Sequence, residues 1–415
     1  MEVALVIIGT ELLSGETLDT NSQYIGRALS NAGIGVNFKV TIPDIAENIK
    51  NALDMAFAQS SVVIMTGGLG PTKDDITKNL IAAYFGSEMK FRPEVFEHIQ
   101  ELLKHRLPNL SLLIRDQAVI PECARVLVNR LGTAPGLLVE QEGRVLIAMP
   151  GVHYEAVGLT DHEVIPYLKK LMQGESFVSR NLKLVGIPES YIANEIKDIE
   201  ESLPEHIKLA YLPHLGQVKL RLTAKGNNET QLKQEIDIIL EKIKSRVEKN
   251  VYGYDDTELP MAIALLLKDR KATLSIAESC TGGYLSHMIT TVPGSSEYFK
   301  GSMVAYENEI KTGLLGVNEE IISQFGAVSM ENAEAMAMQV RLKFKTDFGL
   351  ATTGIAGPTG GTAEKPVGTL WMAASSEDKV ISHKIVFDRG RIQNIQFFSV
   401  YALDLLRRLL CGISY

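Results

Sequence analysis

Cysteine is scarce in this chain: Cys123, Cys280 and Cys411 are its three. Their wide separation excludes a disulfide framework and a CxxC zinc site. Positive charge is not in excess either. The formal net charge is −8, the opposite of the basic footprint that nucleic-acid binders carry. No apolar run approaches the roughly 20 residues of a membrane span. The opening Met1-Glu2-Val3 has no basic stretch or cleavage signal, so a cytoplasmic protein is expected. The 45% hydrophobic and 22% charged residues are ordinary for a globular protein. A chain of 415 residues is too long for one core, so two or three domains are expected.

The first stretch, 1–170, alternates strands and helices. Val3 to Ile8, Val36 to Ile42 and Val62 to Met65 read as strands, with helices over Asn21 to Leu29 and Ile45 to Phe57. Leu12 to Leu18 reads as a loop. Strand, loop, helix, repeated, implies a parallel sheet with helices on its faces and ligands at the carboxyl ends of its strands. Loops at that edge carry Glu11, Asp44, Asp74 and Asp75. Gly67, Gly68 and Gly70 let backbone N–H groups converge on an anion. No Walker loop and no GxGxxG is present there. A tight turn with a capped helix explains the same glycines without a ligand. Carboxylates beside a phosphate cradle make chemical sense when a divalent cation bridges them, with Asp74 and Asp75 as the metal candidates.

Those residues also carry a resemblance. Thr66 to Thr77, with Pro43-Asp44, resembles the molybdopterin-binding domain of MogA and MoaB. Gly9 to Gly15, Asp19-Thr20-Asn21, Gly132 to Gly136 and Met149 to Val152 resemble the amino-terminal half of the CinA family. That resemblance implies metal-dependent hydrolysis of ADP-ribose and a MoaB/MogA-like α/β sandwich over 1–170. Asp44, Asp74 and Asp75 match positions where related domains hold functional acids.

From 177 to 253 the pattern is β-α-β-β-α, ending in a long charged helix. It resembles the KH-like module between the two CinA halves. No GxxG loop occurs there, as RNA- and DNA-binding KH domains require, so a spacer or dimer contact is expected. Val251 to Pro260 reads as a linker.

The last stretch, 255–415, turns on Ala277-Glu278-Ser279-Cys280-Thr281-Gly282-Gly283. A buried strand precedes it and a helix comes next. Ser279 at such a turn has its hydroxyl at the open end of a sheet, near free N–H groups, where a nucleophile and an oxyanion site can coexist. A capped helix start is the plainer reading, and a small buried thiol is the plainer reading of Cys280. Downstream, Thr353 leads into a ribbon holding Gly354, Gly357, Gly360 and Gly361, with N–H groups open to an anion. A flexible surface loop is its alternative. Only His287 and His383 fall in this domain. His287 is about two helical turns past Ser279 and poorly aimed. Lys311 and Tyr306, at the end of a neighbouring strand, offer another route, because a partly buried Lys loses its proton readily.

This segment closely resembles the carboxy-terminal CinA domain and the PncC amidohydrolases, which deamidate nicotinamide mononucleotide to nicotinate mononucleotide and ammonia. The matching residues are Ala277 to Gly283, Pro293 to Ser296, Tyr306 with Asn308-Glu309 and Lys311, Gly326 to Ser329, Thr353 to Pro358 and Glu364 to Gly368. The resemblance implies Ser279 as nucleophile, with Tyr306 and Lys311 activating it. Thr281, Gly282, Gly283, Thr353, the ribbon glycines and Arg391 would hold substrate. Where the family has Phe-x-Gly-Asp-Arg, this chain has Phe387-Asp388-Arg389-Gly390-Arg391. The whole implies a homodimeric, two-activity α/β enzyme of three domains. It acts on nicotinamide mononucleotide without a cofactor and on ADP-ribose with a metal, and binds neither nucleic acid nor membrane. A non-catalytic pterin-binding or competence-related interaction protein is the alternative.

Overall fold

The computed structural model describes residues 1–72, 75–104, 115–172, 174 and 176–414. β1 (Glu2–Ile8) is apolar on both faces. Val3, Leu5 and Ile7 enter one core, and Ala4, Val6 and Ile8 enter another. A strand buried on both sides belongs inside a layered sheet. It pairs in parallel with β2 (Gly35–Ile42) and β3 (Val62–Thr66). β4 (Met89–Phe91) and β5 (Val119–Pro121) form a separate antiparallel pair. β6 (Ala124–Leu127), β7 (Gly136–Gln141) and β8 (Arg144–Met149) complete the main sheet, ordered β2-β1-β3-β8-β7-β6. β8 is parallel to β3, and β7 and β6 form an antiparallel margin. The helix Thr20–Asn31 covers one face and Ala46–Gln59 the other. The carboxyl ends of β1, β2, β3 and β8 therefore share one edge.

At that edge the expected loop Leu12 to Leu18 is in part helical: Thr10–Ser14 is a short helix. The Thr10 N–H donates to Asp44 Oδ2 at 3.1 Å. The cap comes from a residue 34 positions away, which no local pattern reveals.

The chain divides into two compact units, residues 1–178 with 225–229 and residues 179–224 with 230–415. In the second, β9 (Ser176–Val185), β10 (Ile207–His214), β11 (Gln217–Gly226) and β12 (Val251–Tyr254) make a sheet ordered β10-β11-β9-β12. The Glu229–Val247 helix buries Leu232, Ile236, Leu240, Ile243 and Val247. β12 corrects the expected linker at Val251 to Pro260, since its residues pair antiparallel with β9. The turn after β12 is tied down too. Asp255 takes Arg180 Nε at 2.9 Å and the Asn181 N–H at 2.9 Å.

The same unit holds β13 (Leu274–Glu278), β14 (Phe299–Val304), β15 (Phe348–Gly354), β16 (Thr369–Ser375) and β17 (Val380–Val386). Their order is β14-β13-β15-β16-β17, with β13 parallel to both neighbours. The Met330–Phe344 helix packs on one face through small side chains, Ala333 and Ala337 against Ala277, Ala351 and Ala373. The approach is so close that a Cβ on Gly349 would lie 2.1 Å from the Ala337 carbonyl oxygen. The helices Leu259–Asp269 and Arg391–Cys411 cover the other face. Among the described residues, no helix is long and apolar enough to cross a membrane.

Asp404 ties the KH-like layer to this sheet. It is fully buried and takes Arg407 Nε and Arg408 Nε at 2.8 Å each. Arg407 donates onward to the carbonyls of Lys249 and Val251, at the entry to β12. Asp404→Ala would remove the carboxylate shared by two buried guanidinium groups, and breaking such a buried ion pair costs about 3–5 kcal/mol. The second unit of Asp404→Ala should unfold at lower urea than in the parent chain, followed by tryptophan fluorescence of Trp371; an unchanged midpoint would contradict this.

Candidate active site

The end of β13 poses a local problem. The chain must leave a parallel strand and start the helix Tyr284–Thr290 within five residues, and the first amides of a helix lack intrahelical partners. Glu278, the last strand residue, solves it. Its carboxylate is fully buried. Oε2 accepts from the Thr281 hydroxyl at 2.7 Å, the Gly283 N–H at 2.9 Å and the Leu285 N–H at 3.1 Å. Oε1 accepts from the Ser286 N–H at 2.8 Å and its hydroxyl at 2.5 Å. Gly282 (φ 59°) and Gly283 (φ 100°) supply the left-handed backbone that curls the chain over this carboxylate. The expected anion site at this helix start is thus filled from within. The Thr281 hydroxyl, a candidate substrate contact, is buried and shared with Glu278 and Thr352.

Ser279 sits on the outside of that turn, 8% exposed. Its N–H donates to Thr352 O at 3.0 Å, so β15 holds the base of the turn. On the other side the Ala305 N–H donates to Glu278 O at 2.8 Å, which brings the end of β14 alongside. Tyr306 comes next after Ala305 at that edge and is 52% exposed. Lys311 lies one turn on and is 2% exposed, its Nζ donating to the Tyr306 carbonyl at 2.7 Å. Burial holds its amine below the ordinary lysine value, and Glu307 and the Cys280 thiol only partly offset this. Lys311 and Arg391 both act through space on the Cys280 thiol, next in sequence to Ser279.

The ribbon after β15 closes the other side. A Cβ on Gly354 would lie 2.4 Å from Thr369 O and 3.2 Å from Cys280 Sγ, so the ribbon base rests on the Ser279 turn. Ile355 and Gly368 are joined by a backbone bond at that base, with Ile355 also tied to Thr369. Residues 358–364, including Gly360 and Gly361, form an exposed tip. Arg391 joins the parts, donating Nη1 to Gly357 O at 2.8 Å and Nη2 to the Tyr306 hydroxyl at 2.9 Å. Thr353 is buried and donates its hydroxyl to Ala327 O at 2.6 Å, so it is left with lone pairs only. In the divergent loop before Arg391, Asp388 accepts from the Gly390 N–H and from Asn394 Nδ2. It shapes the loop and makes no contact with Arg391 among the described bonds.

In the first unit the expected residues also gather at the carboxyl edge. Gly67 and Gly68 have φ of 115° and 67°. Side chains there would strike Ile8 O at 2.4 Å and Thr77 Oγ1 at 2.2 Å. The Gly67 N–H is committed to Met149 O. Asp75 Oδ2 accepts from the Thr72 N–H and hydroxyl at 2.8 and 2.6 Å. Glu11 folds back over Gly9. Asp74 lies outside the described residues. Among the described residues no three acids, histidines or cysteines come together to hold a metal. Of these carboxylates, Asp44 and Asp75 accept backbone N–H groups. Beside them Asn21 donates to Gly151 O at 2.7 Å, and its Oδ1 is hydrogen-bonded to His153 Nδ1 at 2.9 Å. These residues, with Glu11 and Thr66, line a pocket of about 200 Å³.

Three family models match this chain in succession: a probable molybdopterin binding domain over residues 4–170, the damage-inducible protein CinA KH domain over 179–253 and the CinA C-terminal domain over 256–410. A CinA-like protein from Cytophaga hutchinsonii is 43% identical across 98% of this chain and 97% of its own length. The chain belongs to the CinA family. A putative competence-damage inducible protein from Caldicellulosiruptor bescii is 38% identical over 98% of this chain and 99% of its own. The solved structure of a competence/damage inducible protein from Agrobacterium tumefaciens is 37% identical. It covers 36% of this chain and 93% of its own, at a TM-score of 0.36.

Within this CinA-family chain, sequence reasoning gives Glu278 no role and passes over Asn394. Asn394 is fully buried and donates to Ala356 O at 3.0 Å, fixing the ribbon to the last helix. A carboxylate directly before the serine was the signal available for Glu278. Cys280 is buried, and burial pushes its thiol up to about 12. It is therefore protonated at neutral pH and unfit as a rival nucleophile. Cys280→Ala should keep its turnover within about 3-fold. Iodoacetamide at pH 8 should modify Cys411 and leave Cys280 unlabelled, read by peptide mass spectrometry.

Proposed function

We propose that the carboxy-terminal domain deamidates nicotinamide mononucleotide through an acyl-enzyme on Ser279. The observation that carries this reading is one convergence. Ser279, the buried amine of Lys311, and the Tyr306–Arg391–Gly357 tie share the carboxyl edge of β13, β14 and β15. Lys311 takes the Ser279 proton as Oγ attacks the carboxamide carbon. The protonated amine then passes that proton to the departing nitrogen, and ammonia leaves. Water, deprotonated by Lys311, opens the ester and returns the proton to Ser279. The sum is one water consumed, with nicotinate mononucleotide and ammonia released. Arg391 has three N–H donors beyond the two committed to Gly357 and Tyr306, enough to meet an anionic group of the substrate.

Ammonia release from nicotinamide mononucleotide should proceed with chelator present, since no step of this mechanism uses a metal. Ser279→Ala should lower kcat by at least about 1,000-fold, and Lys311→Met by about 100- to 10,000-fold. The base works only when neutral, so the rate should climb as pH rises through the lowered Lys311 value. Full turnover by Ser279→Ala would remove the serine from the chemistry.

A second reading concerns the first unit and is favoured by the pocket around Asn21, Glu11 and His153 at the carboxyl edge of its sheet. It is hydrolysis of ADP-ribose to AMP and ribose 5-phosphate. Asn21→Ala should abolish product formation measured with added magnesium. If the parent chain forms no product, this unit falls to the non-catalytic alternative, which isothermal titration with a pterin would read.

A further inference from the structure

The buried carboxylate of Glu278 takes part in none of the deamidation steps. It contacts five donors, all of them within eight residues downstream of itself. Its backbone is fixed as well. Glu278 is the last paired residue of β13, opposite Val304 of β14 and Thr352 of β15. Ser279 thus lies between a strand end paired on both sides and a helix start held by the same side chain. The serine turn is a closed loop whose clasp is one carboxylate.

We propose that Glu278 is a positioning residue, whose carboxylate sets the direction of the Ser279 hydroxyl by holding both ends of its turn. The inference deepens the amidase reading and rests on it for the kinetic arm of its test. It has a specificity consequence. Every N–H of the helix start that could have met a substrate oxyanion at Gly283, Leu285 and Ser286 is already taken. The developing negative charge must then be met by donors other than those three amides.

A neutral glutamine at 278 presents one acceptor oxygen and one NH2 group to a set of donors, so it cannot close the clasp. In E278Q, kcat per folded enzyme should fall about 100-fold, the loss expected for a nucleophile displaced by about 1 Å. KM should stay within about 3-fold, because the substrate contacts lie elsewhere. The Lys311-governed rise of rate with pH should keep its midpoint, since Glu278 does not touch that amine. The milder S286A removes one of the five donors. It should give a smaller kcat loss in the same direction and covers the case in which E278Q does not fold.

Amide hydrogen exchange gives an arm that needs no substrate. Gly283, Leu285 and Ser286 should be protected in the parent chain, and in both variants the segment 279–286 should exchange faster while β13 and β15 stay unchanged. Labelling of Ser279 by a fluorophosphonate probe should slow in parallel. If the parent chain fails to deamidate nicotinamide mononucleotide, the amidase reading falls and the exchange and labelling arms still decide the role of Glu278. Unchanged kcat, exchange and labelling in S286A and E278Q would overturn it. A shifted pH midpoint would also overturn it, by making Glu278 an electrostatic partner of the base.

Discussion

One buried carboxylate holds the start of a helix. Glu278, itself fully buried, answers the N–H groups of Gly283, Leu285 and Ser286. An unpaired donor there costs roughly 1–3 kcal/mol, and a buried carboxylate without partners would cost more. Each side of the arrangement is tolerable only because the other exists. The demand on the sequence is strict. The glutamate must be the last residue of the strand, and glycines must come after the serine so that the chain can curl back over it. Ser279 itself makes no bond to the Glu278 carboxylate and keeps 8% of its surface exposed.

The first unit meets the same strand-to-helix problem with a different solution. There Gly67 and Gly68 bring the backbone against Ile8 and Thr77, and the amide of Gly67 is satisfied by Met149 O. Acidic side chains at that edge also act as caps: Asp44 on Thr10, Asp75 on Thr72, and Asp19 on Ser22. A carboxylate already holding a backbone N–H has less of its charge to give a cation. Among the described residues, three of the acids at that edge thus shape turns, whatever else they bind.

The strands were legible because burial on both faces leaves unbroken β-branched and aliphatic runs, as in Val3 to Ile8 and Val62 to Met65. The Ser279 turn was legible because its glycines punctuate such a run. Lys311 was legible only through its neighbours, since its burial depends on the Ala305 bond that brings β14 alongside Glu278. The features that stayed hidden depend on contacts distant in sequence. The cap that makes Thr10–Ser14 a helix comes from beyond the end of another strand. The strand at Val251 looked like a linker because Gly253, Asp255 and Asp256 are turn formers. Pairing with β9 and the Arg407 bonds to the carbonyls of Lys249 and Val251 override that local preference. Glu278 was hidden for another reason: one acid in a motif says nothing about how many donors it will meet.

The two cations beside Ser279 differ in what they can do, and the difference comes from how each is held. A neutral Lys311 amine has two N–H groups and one lone pair. One N–H is held by the Tyr306 carbonyl, which aims the remaining groups away from that carbonyl and leaves the lone pair free to accept a proton. Arg391 cannot offer a lone pair at all. Its donors bind the Tyr306 hydroxyl and the ribbon at Gly357, so it fixes the position of both while its charge stays in place. In the proposed deamidation, proton transfer and fixed charge fall to separate residues that meet at one tyrosine, Lys311 on its carbonyl and Arg391 on its hydroxyl. The backbone carbonyl and ring oxygen of Tyr306 hold Lys311 and Arg391 at a set separation along that edge.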